Sequence, residues 1–199
     1  MDRGRLRIIL GIFYILLSVL AFFNSYYYHT PYNIFWFCYI GMFIIGLGML
    51  FKNGAMIKSQ LYILFIPDII WILDFISYFV TGGNSFFGIA DYFFLAAPLT
   101  AKIVTLQHIF TAPIALYFAY KFNSKSKYLF LVSYLQLTLI FFMTRFFTLP
   151  EQNINCSYKF CGDYSFAIGN LYPVFWFIGG LIMIYLTYII IDKTFKGKR

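Results

Sequence analysis

Apolar residues run along this chain in long stretches separated by short polar breaks. Six runs cover residues 6–23, 34–51, 61–80, 101–120, 128–149 and 171–191. Each is close to the roughly 20 residues a helix needs to cross a bilayer, and each predicts one transmembrane helix. A further apolar stretch, residues 86–98, is interrupted by Asp91. At about 12 residues it is too short to span, which predicts an interfacial or re-entrant segment on the outer side between the third and fourth helices. The first run follows a basic start, as a secretory signal does. It ends in Phe22, Phe23, Asn24 and Ser25 without a small-x-small cleavage site, so it reads as a retained span. No internal repeat, low-complexity tract or linker interrupts the pattern. The expected fold is an all-α polytopic membrane bundle of six transmembrane helices, with residues 1–199 as a single domain.

Composition supports that pattern. Asp, Glu, Lys and Arg make up 11% of the 199 residues, against 62% hydrophobic, where soluble domains carry about 25% charged and about 45–50% apolar residues. A soluble fold of this size has too little interior for that much apolar surface. Six spans also leave no room in these 199 residues for a soluble catalytic domain, so any chemistry belongs to the bundle and its loops.

The formal charge of +8 changes the picture only once it is located. Arg3, Arg5, Arg7, Lys52, Lys58, Lys121, Lys125, Lys127, Lys193, Lys196, Lys198 and Arg199 all fall on one side of a six-span topology. The other side holds Lys102 and Lys159, and Arg145 lies within the fifth span. Loops rich in Lys and Arg stay in the cytoplasm, so both termini are expected there, in the plasma membrane of a prokaryote. The basic excess is a topology signal. Membrane lipids, and not nucleic acid, are the expected partners.

A charged side chain inside a span costs roughly 2.5–3.5 kcal/mol on the insertion scale, so the polar residues within the runs are the informative ones. The third run carries Asp68, Trp71 and Asp74 at i, i+3 and i+6, a slanting ridge on a helix. The fourth carries His108 among Ala101, Thr105, Thr111, Ala112, Ala115 and Ala119. Small residues mark close helix approach, which turns His108 toward the bundle interior. The second run places Cys38 with Gly41 and Gly48, and the fifth aligns Tyr134, Thr138, Arg145 and Thr148. At 1.5 Å per residue, Cys38, Asp74 and His108 lie about 6–10 Å below the outer interface. Arg145 is near that level, with Asn153 and Asn155 just above.

A thiol, an imidazole and a carboxylate at one depth are what a nucleophile site requires, since a base must take the thiol proton and a carboxylate must hold the base. Cys38, His108 and Asp74 are therefore the catalytic candidates. Arg145, Asn155 and Trp71 are the candidates for holding substrate, Arg145 through a lipid phosphate. Structural roles stand beside these: Asp74 and Arg145 as an ion pair, His108 as a packing residue, Cys38 as a small buried hydrophobe. Cys156 and Cys161 share the outer loop between the fifth and sixth spans, a disulfide-permissive place, and read either as a bridge or as two free thiols. Two cysteines with the lone His29 are too few ligands for a metal. There is no Gly-rich phosphate loop, so no metal, nucleotide or other cofactor is expected.

The stretches Phe35-Trp36-Phe37-Cys38, Ser59-Gln60, Pro67 through Asp74 to Phe75, Leu106-Gln107-His108 with Pro113, and Pro150 through Asn155 to Cys156 with Cys161-Gly162 resemble a small family of bacterial and archaeal six-span membrane proteins. The resemblance covers most of the length and implies the fold without implying an activity. More distantly, the layout is similar to integral-membrane lipid acyltransferases and to androgen-induced-type hydrolases of fatty-acid esters. That similarity implies Cys38 as nucleophile and His108 as base. A cysteine fits the acyltransferase branch better, because the hydrolase branch uses threonine. Two rivals remain at this level. One is a small proton or ion transporter relaying through Asp68, Asp74, His108 and Arg145, supported chiefly by Asp68, which acyl transfer leaves unused. The other is a non-enzymatic assembly subunit in which every polar residue is helix–helix glue.

Overall fold

Backbone amides in an apolar slab find no water and must bond within their own segment, so long apolar runs become helices. The structure, a computed structural model, describes residues 3–122, 124, 128–162 and 169–196. Among the described residues every regular element is helical. The chain forms α1 (Arg3–Tyr27), α2 (Phe37–Leu50), α3 (Gly54–Val80), α4 (Leu99–Thr105), α5 (Gln107–Phe122), α6 (Leu129–Phe147) and α7 (Tyr172–Lys196). α4 and α5 follow one another across Leu106 and make one membrane-length unit, Leu99–Phe122. This unit, α1, α3, α6 and α7 are each long and apolar enough to cross a bilayer. Their outward faces are apolar too: Ile9, Leu16 and Phe23 on α1, Leu135, Leu139 and Phe146 on α6, and Val174, Phe175 and Ile182 on α7 are exposed. Exposed apolar area on this scale is a lipid-facing surface, and the chain is an integral membrane protein of the all-α class.

Three element boundaries differ from the hydropathy reading, each for a local reason. α3 starts at Gly54 and not at residue 61, because the Asn53 side chain accepts hydrogen bonds from the amides of Ala55 (3.0 Å) and Met56 (3.2 Å) and caps the helix early. The second helix is shorter than its apolar run. Residues Pro31–Phe35 form a 3-10 turn, and Trp36 is extended, so α2 has 14 residues and is about 21 Å long, below the roughly 30 Å of a hydrocarbon core. Residues 86–98 form turns around one short 3-10 segment, Asp91–Phe93. Asp74 and Ser77 of α3 take the amides of Phe86, Phe87 and Ala90, so this stretch is held against the end of α3 by side chains in place of its own helical bonds.

α3 touches α2, α5, α6 and α7 and is the hub of the bundle. Small residues set the spacing on one side. A Cβ at Gly46 would sit 2.8 Å from the carbonyl oxygen of Gly11 and 2.8 Å from Ile15, so α1 and α2 are in backbone contact there. Polar pairs set it on the other. Gln60 and Gln136 exchange amide hydrogen bonds of 2.8 and 3.0 Å between α3 and α6. Ser133 donates to the Ser59 carbonyl. Lys58 lies 3.5 Å from Asp192 on α7, whose carboxylate also accepts from Tyr62. Arg7 donates to the carbonyls of Met49 and Leu50, placing a cation where the C-terminal end of a helix favours one. These contacts gather Arg7, the end of α2, Lys58 and Asp192 at one end of the bundle, with the loops 28–36, 81–98 and 148–162 at the other.

Glycine at 46 is required by this packing. Gly46→Leu is expected to destabilise the detergent-solubilised protein by about 1–3 kcal/mol, the usual cost of overfilling a packed contact. Gly179→Ala, where a Cβ would meet nothing within 4 Å, is expected to leave stability unchanged. Thermal unfolding followed by size-exclusion chromatography compares the two.

Candidate functional site

The first turn of a helix leaves amides without intrahelical partners, and at α2 a distant loop supplies one. Asn155 accepts from the Phe37 amide (3.0 Å) through Oδ1 and donates to the Phe35 carbonyl (2.7 Å) through Nδ2. The loop that carries it is stiffened from within. Cys156 and Cys161 form a disulfide, with Cα atoms 5.2 Å apart. Asn153 Oδ1 accepts from the amides of Tyr158 and Lys159, and its Nδ2 donates to the Lys159 carbonyl. Asn153 and Asn155 hold φ of 43° and 54°, the left-handed region that asparagine enters more readily than most residues. A Cβ at Gly162 would lie 1.7 Å from the carbonyl oxygen of Phe87, so this loop also abuts the one that follows α3. Cys38, the second residue of α2, is thus fixed from above. It is buried and is the free cysteine of the chain.

His108 is the second residue of α5. Its Nδ1 lies 2.8 Å from Asp68 Oδ1, and Asp68 is 1% exposed. One turn along α3, the Trp71 ring stacks on the imidazole at 4.9 Å between centroids, and Trp71 Nε1 donates to the Tyr92 hydroxyl at 3.1 Å. The imidazole therefore has one edge committed to a carboxylate and one face covered by an indole. Cys38 borders the same cavity as the ring. With Nδ1 held by Asp68, Nε2 is the ring nitrogen left for another partner. A thiol, an imidazole and a carboxylate thus border a common cavity, the latter two in direct contact. Gln107, 1% exposed, completes the surroundings. Its Oε1 accepts from Thr111 (2.7 Å), which points the amide, while its Nε2 donor is buried with no partner among the described residues.

These side chains border one cavity of about 830 Å³. Cys38, Asp68, Trp71, Tyr92, Gln107 and His108 line its middle. Ile63, Leu64, Leu137, Trp176 and Ile184 give it apolar walls, and Lys102, Gln152, Asn153 and Lys159 border it at the loop end. Among the described residues, no group of three or more His, Cys, Asp or Glu is arranged to hold a metal.

The carboxylate beside His108 is not the one expected. Asp74 is fully buried, but its two oxygens accept the amides of Phe87 (2.7 Å) and Ala90 (2.8 Å). It is a loop anchor six residues along α3 from the histidine's partner. Asp68, expected to have no part in acyl transfer, is that partner. The depth count misplaced the pair because it assumed six straight helices of similar length, whereas α2 is short and α4–α5 breaks at Leu106. Arg145 forms no pair with Asp74. It is exposed, its guanidinium lies over the Tyr158 ring at 4.1 Å, and it does not line the cavity. Asn155 lines the cavity, yet both ends of its amide are spent on α2. Trp71 does face the cavity, stacked on His108. Gln107 and Tyr92 were not singled out from sequence. For Gln107 the signal was its place in the Leu106-Gln107-His108 stretch, which carried no role for it. Comparison with family models, curated proteins and solved structures returned no match to this chain.

The disulfide and the clamp can be read from thiol chemistry. Of the three cysteines, denatured but unreduced protein is expected to take up one alkyl group by mass, and reduced protein three. Asn155→Ala is expected to speed alkylation of Cys38 in the folded protein about tenfold, the effect of losing roughly 1.4 kcal/mol of restraint on the start of α2. An unchanged rate means that the clamp does not hold the thiol.

Proposed function

We propose that this membrane protein is a thiol-dependent acyltransferase, or an ester hydrolase, acting on membrane lipids, with Cys38 as nucleophile, His108 as base and Asp68 orienting the base. The observation that carries this reading is the 2.8 Å contact of His108 Nδ1 with Asp68 at a cavity that also holds the Cys38 thiol. The charge bias supports six crossings with both termini cytoplasmic, in a prokaryotic plasma membrane. The cavity then takes its substrate from the outer leaflet. The resemblance to integral-membrane acyltransferases points the same way.

In the reaction, Nε2 of His108 accepts the Cys38 proton while the sulfur attacks an ester carbonyl carbon. The first turn of α2, where a helix favours negative charge, carries the attacking sulfur. The carbonyl π bond opens to an oxyanion, and Gln107 Nε2, the buried donor without a partner, is the group to receive it. Collapse breaks the ester C–O bond, His108 returns the proton to the departing alkoxide, and a thioester remains on Cys38. A second alcohol, or water, then gives its proton to His108 and attacks the thioester. The new ester or acid forms, and the thiolate leaves and is reprotonated. Asp68 keeps Nδ1–H and stabilises the imidazolium at both stages.

A relay through the membrane is less well supported. On α3, Asp68 is separated from the Gln60–Gln136 pair by Leu61, Ile63, Leu64, Phe65, Ile66 and Pro67, and the polar Tyr62 among them is committed to Asp192.

Incubating the purified protein with a phospholipid carrying a labelled acyl chain is expected to give a hydroxylamine-sensitive adduct that Cys38→Ala lacks. Equal labelling of both, or none in the wild type, overturns the reading. Where turnover is followed, Asp68→Asn is expected to lower kcat about 10²–10⁴-fold, while Asp74→Asn chiefly lowers thermal stability. Gln107→Ala is expected to lower kcat about 10²–10³-fold with little change in KM.

A further inference from the structure

Lys102 and Lys159 both border the cavity that holds Cys38 and His108. They arrive there from unrelated elements, Lys102 from α4 and Lys159 from the disulfide loop. Lys102 is packed at its side chain, whereas Lys159 is exposed and held at its backbone. Lys102 is half-buried, with its ammonium 5.7 Å from the centre of the Phe93 ring. Lys159 has both its amide and its carbonyl bonded to Asn153 inside the disulfide ring. Neither has an acidic partner among the described residues. Of the nearby acids, Asp91 accepts from Ser85, and Glu151 is exposed and does not line the cavity. Two cations thus border the loop end of a cavity in which the one lining carboxylate among the described residues, Asp68, is paired with His108.

Resting on the reading of the cavity as a lipid ester site, we infer that its substrate is an anionic phospholipid, whose phosphate is held by Lys102 and Lys159 while its acyl ester lies at Cys38. The spacing suits this. Lys102 is six residues from His108 along α4–α5, an axial separation of about 9 Å, comparable with the span from a glycerophospholipid phosphate to its ester carbonyls once the lysine's flexible stem is allowed for. The apolar walls deeper in the cavity, Ile63, Leu64, Leu137 and Ile184, receive the acyl chain. A free phosphate ion would use the two lysines and leave those walls empty, so the commitment is to a lipid.

The test is binding, made with Cys38→Ser protein so that turnover plays no part. Phosphatidic acid and phosphatidylglycerol are each compared with phosphatidylcholine of the same acyl chains, in neutral detergent, by native mass spectrometry and by displacement of a fluorescent lipid. Tighter binding of the two anionic lipids by about tenfold or more is expected. That preference should disappear in Lys102→Gln/Lys159→Gln and survive in Lys102→Arg/Lys159→Arg, and inorganic phosphate at millimolar concentration should displace neither lipid. Equal affinity for all three lipids, a preference that survives the double glutamine variant, or displacement by phosphate alone overturns the inference. Lipid preference without a Cys38 adduct in the wild type sinks the acyl-transfer reading and leaves the headgroup site standing. An adduct without lipid preference does the reverse.

Discussion

The carboxylate of Asp68 lies in the middle of α3, where no bulk water reaches it, and His108 is the group that meets it. A charge so placed costs several kcal/mol unless it is paired and hydrogen-bonded, so this contact constrains much of what surrounds it. It brings α5 against α3. It turns the imidazole so that Nδ1 faces the carboxylate and Nε2 faces the cavity. It also sets the ring where Trp71 can cover one face. The same demand for partners shapes the opposite end of the bundle, where Gln60 meets Gln136 and Lys58 meets Asp192. Those pairs are spent on one another. At the cavity, Asp68 Oδ2 and Gln107 Nε2 have no partner among the described residues.

The loops are as consequential as the helices. α2 is too short to cross a bilayer comfortably, and its first turn is finished by Asn155 from a loop more than a hundred residues away in sequence. That loop is closed by a disulfide and carries left-handed asparagines, so it behaves as a rigid cap in place of a flexible connection. Asp74 plays a matching part on the other side, holding the amides of Phe87 and Ala90. The two loops touch where Gly162 passes the Phe87 carbonyl. One buried aspartate meets His108 and the other holds the loop after α3, although both stand on the same helix six residues apart.

Much of this was legible in the residues themselves. The apolar runs locate the helices because a bilayer permits little else, and the polar residues inside those runs are few enough to name. Cys38, His108 and Trp71 stand out by that count alone, and the outer position of Cys156 and Cys161 permitted the bridge that the structure contains. The choice between Asp68 and Asp74 was not legible. Depth along ideal helices is a one-dimensional coordinate, and it fails when one helix starts late and another breaks, as α2 and α4–α5 do. Arg145 failed for a related reason: counting along α6 gives a depth but not a direction, and its side chain turns onto Tyr158.

The sequence by itself determined the class of molecule, because hydrophobic content and run length are summed over many residues and no single contact can reverse them. It also determined which side chains are costly to bury and must therefore find partners. Only the tertiary structure decided which partners they find. Pairing depends on where helices begin, bend and cross, and those are settled by caps, glycine contacts and loop clamps that join residues distant in the chain. Asp68 rather than Asp74 at His108, and two lysines from separate elements at one cavity, are consequences of that geometry.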